Sequence, residues 1–349
     1  MSIPEKMRAA VLVGHGGREM LEVRDDVPVP SPGKNEVLVK VGAAAMNNTD
    51  IWTREGHYPS AVDARPSGWR GVPLSFPRIQ GLDVVGRVVA LGPAATAPEI
   101  GQRVVIDPSV YDPQTETVLD VRLIGSELDG GFAEYIAVPS ENAVPVSSAF
   151  SDAELASFPG SYRTAEHMLN RADVKPGERV LVTGASGGVG TALIQLSRAR
   201  GARPFAIIGL GKEKRASELG AERVYTRSSD GSIDLAEICR EKFDVLADVV
   251  GGPIFSGLLG ALRKGGRCVI AGAIGGSEIL LDLRQIYLNH LALIGSSTAT
   301  HEELRAVVRY IEMGKLRPLV DREYDLKDIH VAQDAFMAKR HFGKIVLRP

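Results

Sequence analysis

The chain has 349 residues, 44% of them hydrophobic and 24% charged, with a formal net charge of −2. That length accommodates two domains with buried cores, and the near-neutral balance gives no general attraction to nucleic acid or to an anionic membrane. Only two cysteines occur, Cys239 and Cys268, which excludes a disulfide framework and a four-thiolate metal site. The first residues, MSIPEKMRAAVLVGHGG, lack the apolar segment of a signal peptide, and no uncharged apolar run approaches the ~20 residues of a membrane span. The expected compartment is the reducing cytoplasm.

The first 150 residues carry short valine-rich runs such as EVLVKVGAAA, VVGRVVALG and RVVID, a texture that predicts many short strands joined by turns. Within them the segment 60–78, SAVDARPSGWRGVPLSFPR, holds three prolines and three arginines and reads as a long surface loop, either a lid or an inert insertion. From about Ser151 the pattern changes. SDAELASFPGSYRTAEHMLNRA has helical character, and RVLVTG, PFAIIG, ERVY, DVLADVVG and RCVIAG then read as buried strands separated by helical segments. Strands alternating with helices predict a parallel sheet with crossover helices. The chain closes with a helix, HEELRAVVRYIEMG, and a strand, GKIVLRP.

The stretch VLVTGASGGVGTALIQL, 180–196, is strand, glycine turn and helix. Gly187 and Gly190 occupy the last two glycine positions of a dinucleotide fingerprint, with Ala185 at the first. Gly187 admits a pyrophosphate to the backbone and Gly190 lets helix and strand pack closely. The turn residues Ala185, Gly187, Gly188, Val189 and Gly190 are therefore candidate cofactor contacts, the helix N-terminus adding free N–H groups. A tight turn in any α/β protein is the alternative, made less apt by the strand pattern that follows. The same stretch also fits the short-chain dehydrogenase glycine pattern, but no tyrosine of the chain is followed four residues later by lysine, so that chemistry is excluded.

An NAD site usually places a carboxylate at the end of the second strand. Here PFAII ends at Gly209, with no carboxylate at the strand end, and Lys212, Lys214 and Arg215 follow, with Arg227 past the third strand. These cations predict NADPH, with Gly209, Lys212 and Arg227 around its 2′-phosphate. The competing reading is a solvated helix face, which Glu213 among the cations supports.

Several segments together resemble the medium-chain dehydrogenase/reductase superfamily: NNTDIWTREGHYP, IQGLDVVGRVVALG, DGGFAEYIAVP, KPGERVLVTGASGGVG, ELGAERVY and FGKIVL, in the expected order along the whole chain. The resemblance implies an α/β architecture, a mostly-β GroES-like catalytic domain from residues 1–147 and 293–349 with a Rossmann domain, a doubly wound parallel sheet, at 148–292. In zinc enzymes of this superfamily three positions supply the catalytic ligands. The matching residues here are Asn47, Leu82 and Gly160, which offer zinc nothing adequate. The segment that would carry four structural-zinc cysteines, 107–130, has none. No metal is expected, and Asp50 and Asp83 are read as structural.

The string NNTDIWTREGHY is similar to that of the quinone oxidoreductase branch at Asn47, Asp50, Arg54, Gly56 and Tyr58, and departs from it at Asn48, where proline is usual. That resemblance implies Lys212 on the 2′-phosphate, Arg227 where a tyrosine is usual, and Thr164, Gly251, Ala273 and Lys344 lining the cofactor cleft. It also implies a homodimer paired through Rossmann edge strands, with LALIGSS as the edge. Without a Lewis acid, conjugated acceptors are the easier substrates, because hydride addition yields a delocalised anion. The expected activity is zinc-independent, NADPH-dependent reduction of a quinone or α,β-unsaturated carbonyl. Asn47 would polarise the acceptor oxygen, and Tyr58 would either donate a hydrogen bond or proton or simply pack in the wall. An enoyl-thioester reductase, with Arg65, Arg70 or Arg78 on an anionic carrier, is one alternative. A non-catalytic NADPH-binding sensor is another.

Overall fold

The computed structural model describes residues 3–59, 66–112 and 120–349. The chain divides into two compact units, Met1–Gly160 with Thr300–Pro349, and Ser161–Ala299. The expected boundaries lie earlier in the chain. The helix Asp152–Ala156 goes with the first unit because it packs on the strands Glu36–Ala45 and Asp83–Leu91, and Asp152 lies 3.6 Å from Arg103. The strand Ala292–Gly295 goes with the second because it extends that unit's sheet.

In the first unit the main sheet runs in the order Ala143–Pro145, Arg103–Ile106, Asp83–Leu91, Glu36–Ala45, Lys344–Arg348, Val320–Asp325, with Tyr135–Pro139 also paired to Glu36–Ala45. Side-chain alternation along Glu36–Ala45 sends Val37, Val39 and Val41 into a cluster with Val84, Val88 and Val104. Leu38 and Ala44 go into another with Leu12, Phe132 and Phe336. Apart from the exposed Lys40, apolar side chains on both faces of this strand are buried. The last strand lies antiparallel to it, Val346 opposite Ala45, which brings the end of the chain to the start of the helix Asn48–Glu55.

The second unit is a six-stranded sheet in which every pairing is parallel. Its order is Arg223–Arg227, Arg203–Gly209, Arg179–Val182, Phe243–Asp248, Leu262–Ile270, Ala292–Gly295. Numbered along the chain this is 3-2-1-4-5-6, the doubly wound order whose ligand crevice lies beyond the C-terminal ends of strands 1 and 4. Leu181, Phe205, Ile207, Phe243 and Leu246 form its core with Phe255, Leu258 and Leu259 from a covering helix.

Two local expectations change. The helical stretch after Ser151 is two helices, Asp152–Ala156 and Pro159–Arg171, because Pro159 cannot continue a helix but suits a first turn. The segment 66–78 is anchored, since Pro66–Ser67 pairs with Tyr58–Pro59 and the amides of Trp69 and Arg70 donate to Ser126 Oγ and Glu127 Oε1. Arg65 lies outside the described residues. Among the described residues no helix is long and apolar enough to cross a membrane.

Candidate active site

Asn47 precedes the helix Asn48–Glu55 in extended conformation, and its backbone N–H donates to Asp50 Oδ2 at 2.7 Å. Its side chain is held at both ends. Nδ2 donates to the carbonyl of Ala45 at 3.3 Å, and Oδ1 accepts from Lys344 Nζ at 2.6 Å. The Lys344 ammonium is only 3% exposed and also lies 2.7 Å from Oδ2 of the fully buried Asp83. Asp83 Oδ1 in turn accepts the backbone N–H of Gly160 at 2.5 Å. Asn47, Leu82 and Gly160, the three positions that match zinc ligands, are thus gathered in one place around a buried ammonium and not around a thiolate or imidazole set. A side chain at Gly160 would collide with Leu82 and Asp83. Among the described residues no group of three or more His, Cys, Asp or Glu side chains could hold a metal ion.

Tyr58, just past the helix, donates to Thr49 Oγ1 at 3.3 Å and meets the Trp52 ring edge-on at 5.6 Å. Burial pushes its phenol up to about 12, so it is a neutral donor at ordinary pH. Asp50 and Asp83 are both buried, 1% and 0% exposed.

In the second unit the candidate cofactor residues other than Thr164 lie at or just after the C-terminal ends of the strands. Gly187 caps the helix Gly188–Ala199. Ser186, Gly187, Gly188 and Val189 are half-buried, whereas Ala185 and Gly190 are buried. The Ala185 amide donates to Ile207 O at 3.2 Å and so is not available to a ligand. A Cβ on Gly190 would run into the carbonyl of Gly184, the close packing that this glycine permits, while one on Gly187 would meet only Gly184 O at 3.5 Å. The turn therefore presents open backbone at a helix N-terminus and fits a pyrophosphate.

A lock that sequence inspection missed joins the two central strands. Thr183 Oγ1 donates to Asp248 Oδ1 at 2.6 Å and accepts from the Val249 amide at 3.0 Å; Asp248 Oδ2 accepts from the Gly251 amide at 2.8 Å. Gly251 has φ +64°, and a Cβ there would meet Gly276 O at 2.7 Å and Ala273 Cα at 3.5 Å, so Gly251 and Ala273 are neighbours. Thr164 is half-buried on the helix Pro159–Arg171.

Gly209 ends the second strand opposite Arg227, which ends the third, and nothing lies within 4 Å of a Cβ at Gly209. Lys212 follows, its Nζ 3.5 Å from Ser186 Oγ on the glycine turn. Glu213 folds back beside them, its Oε1 accepting from the Gly211 amide at 3.1 Å and from Thr226 Oγ1 at 3.3 Å. Its own backbone amide and that of Gly211, with the Thr226 hydroxyl, hold its pKa below the usual carboxylate range. A carboxylate thus stands nearer to the second strand than the bare strand end suggests, with one oxygen already engaged.

Residues 33–148 match the family model of the alcohol dehydrogenase GroES-like domain, and residues 188–313 that of zinc-binding dehydrogenase. Acryloyl-coenzyme A reductase of Metallosphaera sedula is 32% identical, over 98% of this chain and 99% of that protein. Quinone oxidoreductase of Lama guanicoe is 29% identical over 98% and 97%. Among solved structures, a putative alcohol dehydrogenase from Sinorhizobium meliloti superposes with a TM-score of 0.94 at 49% identity, covering 99% of this chain and 98% of that one. With a GroES-like unit, a Rossmann unit and relatives matched from end to end, the chain belongs to the medium-chain dehydrogenase/reductase superfamily and is a nicotinamide-dependent oxidoreductase.

Proposed function

We propose that this protein is a zinc-independent, NADPH-dependent reductase of quinones or α,β-unsaturated carbonyls. The observation that carries the reading is the Asn47 carboxamide, tied by Oδ1 to the buried Lys344 ammonium where a zinc enzyme of this superfamily has a metal ligand. NADPH, when bound, supplies the hydride. The chain's own residues then orient the acceptor and stabilise the charge that develops on its oxygen. The N–H of Asn47 suits that oxygen as a donor, and the neutral Tyr58 hydroxyl would add a second hydrogen bond by turning its one O–H from Thr49 Oγ1 to the acceptor. For an enone, a hydride would form a C–H bond at the β-carbon while the C=C π bond breaks and its charge is delocalised onto the oxygen as an enolate, and a proton delivered to the α-carbon would complete the saturated carbonyl. Delocalisation of that charge lowers the demand for a Lewis acid.

On the cofactor side, Thr164, the half-buried turn residues 186–189, Gly251 and Ala273 would line the nicotinamide and pyrophosphate. Lys212 and Arg227 would hold the 2′-phosphate. Two unpaired cysteines suit a reducing cytoplasm.

An enoyl-thioester reductase is the second reading, favoured by the similarity to acryloyl-coenzyme A reductase. Arg70 and Arg78 are ion-paired, to Asp120 at 3.5 Å and Asp129 at 2.9 Å, so an anionic carrier would have to compete with those carboxylates. Family membership makes a non-catalytic sensor the weakest of the three.

The test is NADPH consumption by metal-stripped protein with a quinone, a free enone, an enoyl-CoA and a simple aldehyde. Turnover of the quinone or enone, undiminished by chelator, is expected. Turnover of enoyl-CoA alone would select the second reading, and aldehyde turnover restored only by zinc would overturn both.

A further inference from the structure

An asparagine carboxamide is nearly symmetric in shape, with a donor at one end and an acceptor at the other. Which end faces a ligand depends on its fixed neighbours. At Asn47 the neighbour is unambiguous. An ammonium donates and never accepts, so Lys344 Nζ at 2.6 Å requires Oδ1 on its side and turns the NH₂ group away. One of the two N–H bonds goes to Ala45 O at 3.3 Å; among the described residues the other has no partner, and Asn47 is half-buried. Lys344 is itself fixed by Asp83, 0% exposed, whose second oxygen is held by the Gly160 amide. The 3% exposure of Lys344 leaves little of it for a ligand to touch.

Resting on the reductase reading above, we propose that Lys344 is a positioning residue. Its buried, Asp83-neutralised ammonium fixes the Asn47 carboxamide with one N–H directed to the acceptor oxygen and strengthens that N–H as a donor. A cation on the amide oxygen draws electron density from the amide nitrogen, as hydrogen bonds in a chain polarise one another. The positive charge stays outside the reacting shell and acts through one amide. This is a metal-free way of stabilising oxyanion charge, with Asp83, Gly160 and Leu82 occupying the space beside it.

The test is a double-mutant cycle of Lys344→Met and Asn47→Ala, read on whichever acceptor the wild type reduces, with cofactor affinity measured in parallel. Lys344→Met is expected to lower kcat by about 10- to 150-fold, the range of one charge-assisted hydrogen bond. NADPH affinity should change by less than about threefold, and little further loss should appear in the Asn47→Ala background. Equal losses in both backgrounds, or a large loss of NADPH affinity with kcat intact, would assign Lys344 to the cofactor or the scaffold. If removing the cation leaves Asp83 uncompensated and the protein unfolds, the neutral pair Asp83→Asn with Lys344→Met carries the same expectation. Independently of turnover, 15N-asparagine labelling identifies the Asn47 side-chain pair by its absence from Asn47→Ala. That pair should shift and rotate faster in Lys344→Met, and a pair that does not move overturns the proposal even if the acceptor class has been misread.

Discussion

The carboxyl of Asp50 lies inside the first unit, with Oδ2 accepting the Asn47 amide in one half of a capping box. Burial pushes its pKa up to about 7 from 3.8. The Asn47 hydrogen bond and the Lys344 ammonium oppose that rise, and the Asp83 carboxylate adds to it. The folded state therefore binds this proton more tightly than the unfolded chain does. Its contribution to stability is full below about pH 4, falls as the pH rises toward 7, and is lost above that. At about 1.4 kcal/mol per pKa unit the effect reaches a few kcal/mol. Denaturant midpoints of wild type and Asp50→Asn at pH 5 and pH 8 should show it: the wild type loses stability over that interval, and the variant loses markedly less. Equal losses would mean that Asp50 ionises normally. At this scale the residue types were legible and their partners were not. The string around Asn47 and Tyr58 stands out in the sequence, but Lys344 is 297 positions from Asn47, and no periodicity reports a contact at that separation.

Among the elements, the strand, turn and helix at 179–199 follow directly from their residues: a buried run, a glycine at 190 where a side chain would collide, and Leu193 and Leu196 on the inward face. The proposal of NADPH rests on its neighbours. Parallel pairing in register sets Gly209 beside Arg227, and the loop that follows carries Lys212 back to Ser186. Binding titrations should therefore find Lys212→Ala weakened toward NADPH by roughly 10- to 150-fold, with NADH nearly unaffected, because a charge-assisted contact contributes ~1.5–3 kcal/mol. Unchanged affinity for both would assign Lys212 to the solvated helix face. The position of Glu213 was not legible in its sequence neighbourhood, because it depends on Thr226 from the adjacent strand. The helix break at Pro159 was legible in principle, since proline at that point favours a new first turn over a continued helix.

For the whole molecule, the strand Ala292–Gly295 ends the parallel sheet, paired to Leu262–Ile270. Close to it in sequence stand Leu280, 93% exposed, Leu283, Tyr287 and Leu288. An edge strand beside apolar side chains suits pairing with a second copy of the chain. Light scattering on the purified protein should give about twice the 37.3 kDa chain mass, and Leu280→Asp with Leu288→Asp should return it to one. A wild-type monomer would overturn the homodimer that the family resemblance implies.

The sequence by itself determined the two fold types, the strand–helix alternation, the glycine turn and the absence of zinc-competent side chains at positions 47, 82 and 160, because these depend on local residue type and short-range periodicity. Only the tertiary structure decided that the closing strand returns Lys344 to Asn47 and Asp83, that Thr183 locks Asp248 and Gly251, and that Glu213 stands beside the cations. Each of these is a contact between segments far apart in the chain or on neighbouring strands. Such contacts form only once burial of apolar surface has brought the strands together, and the polar groups carried inside must then find partners there.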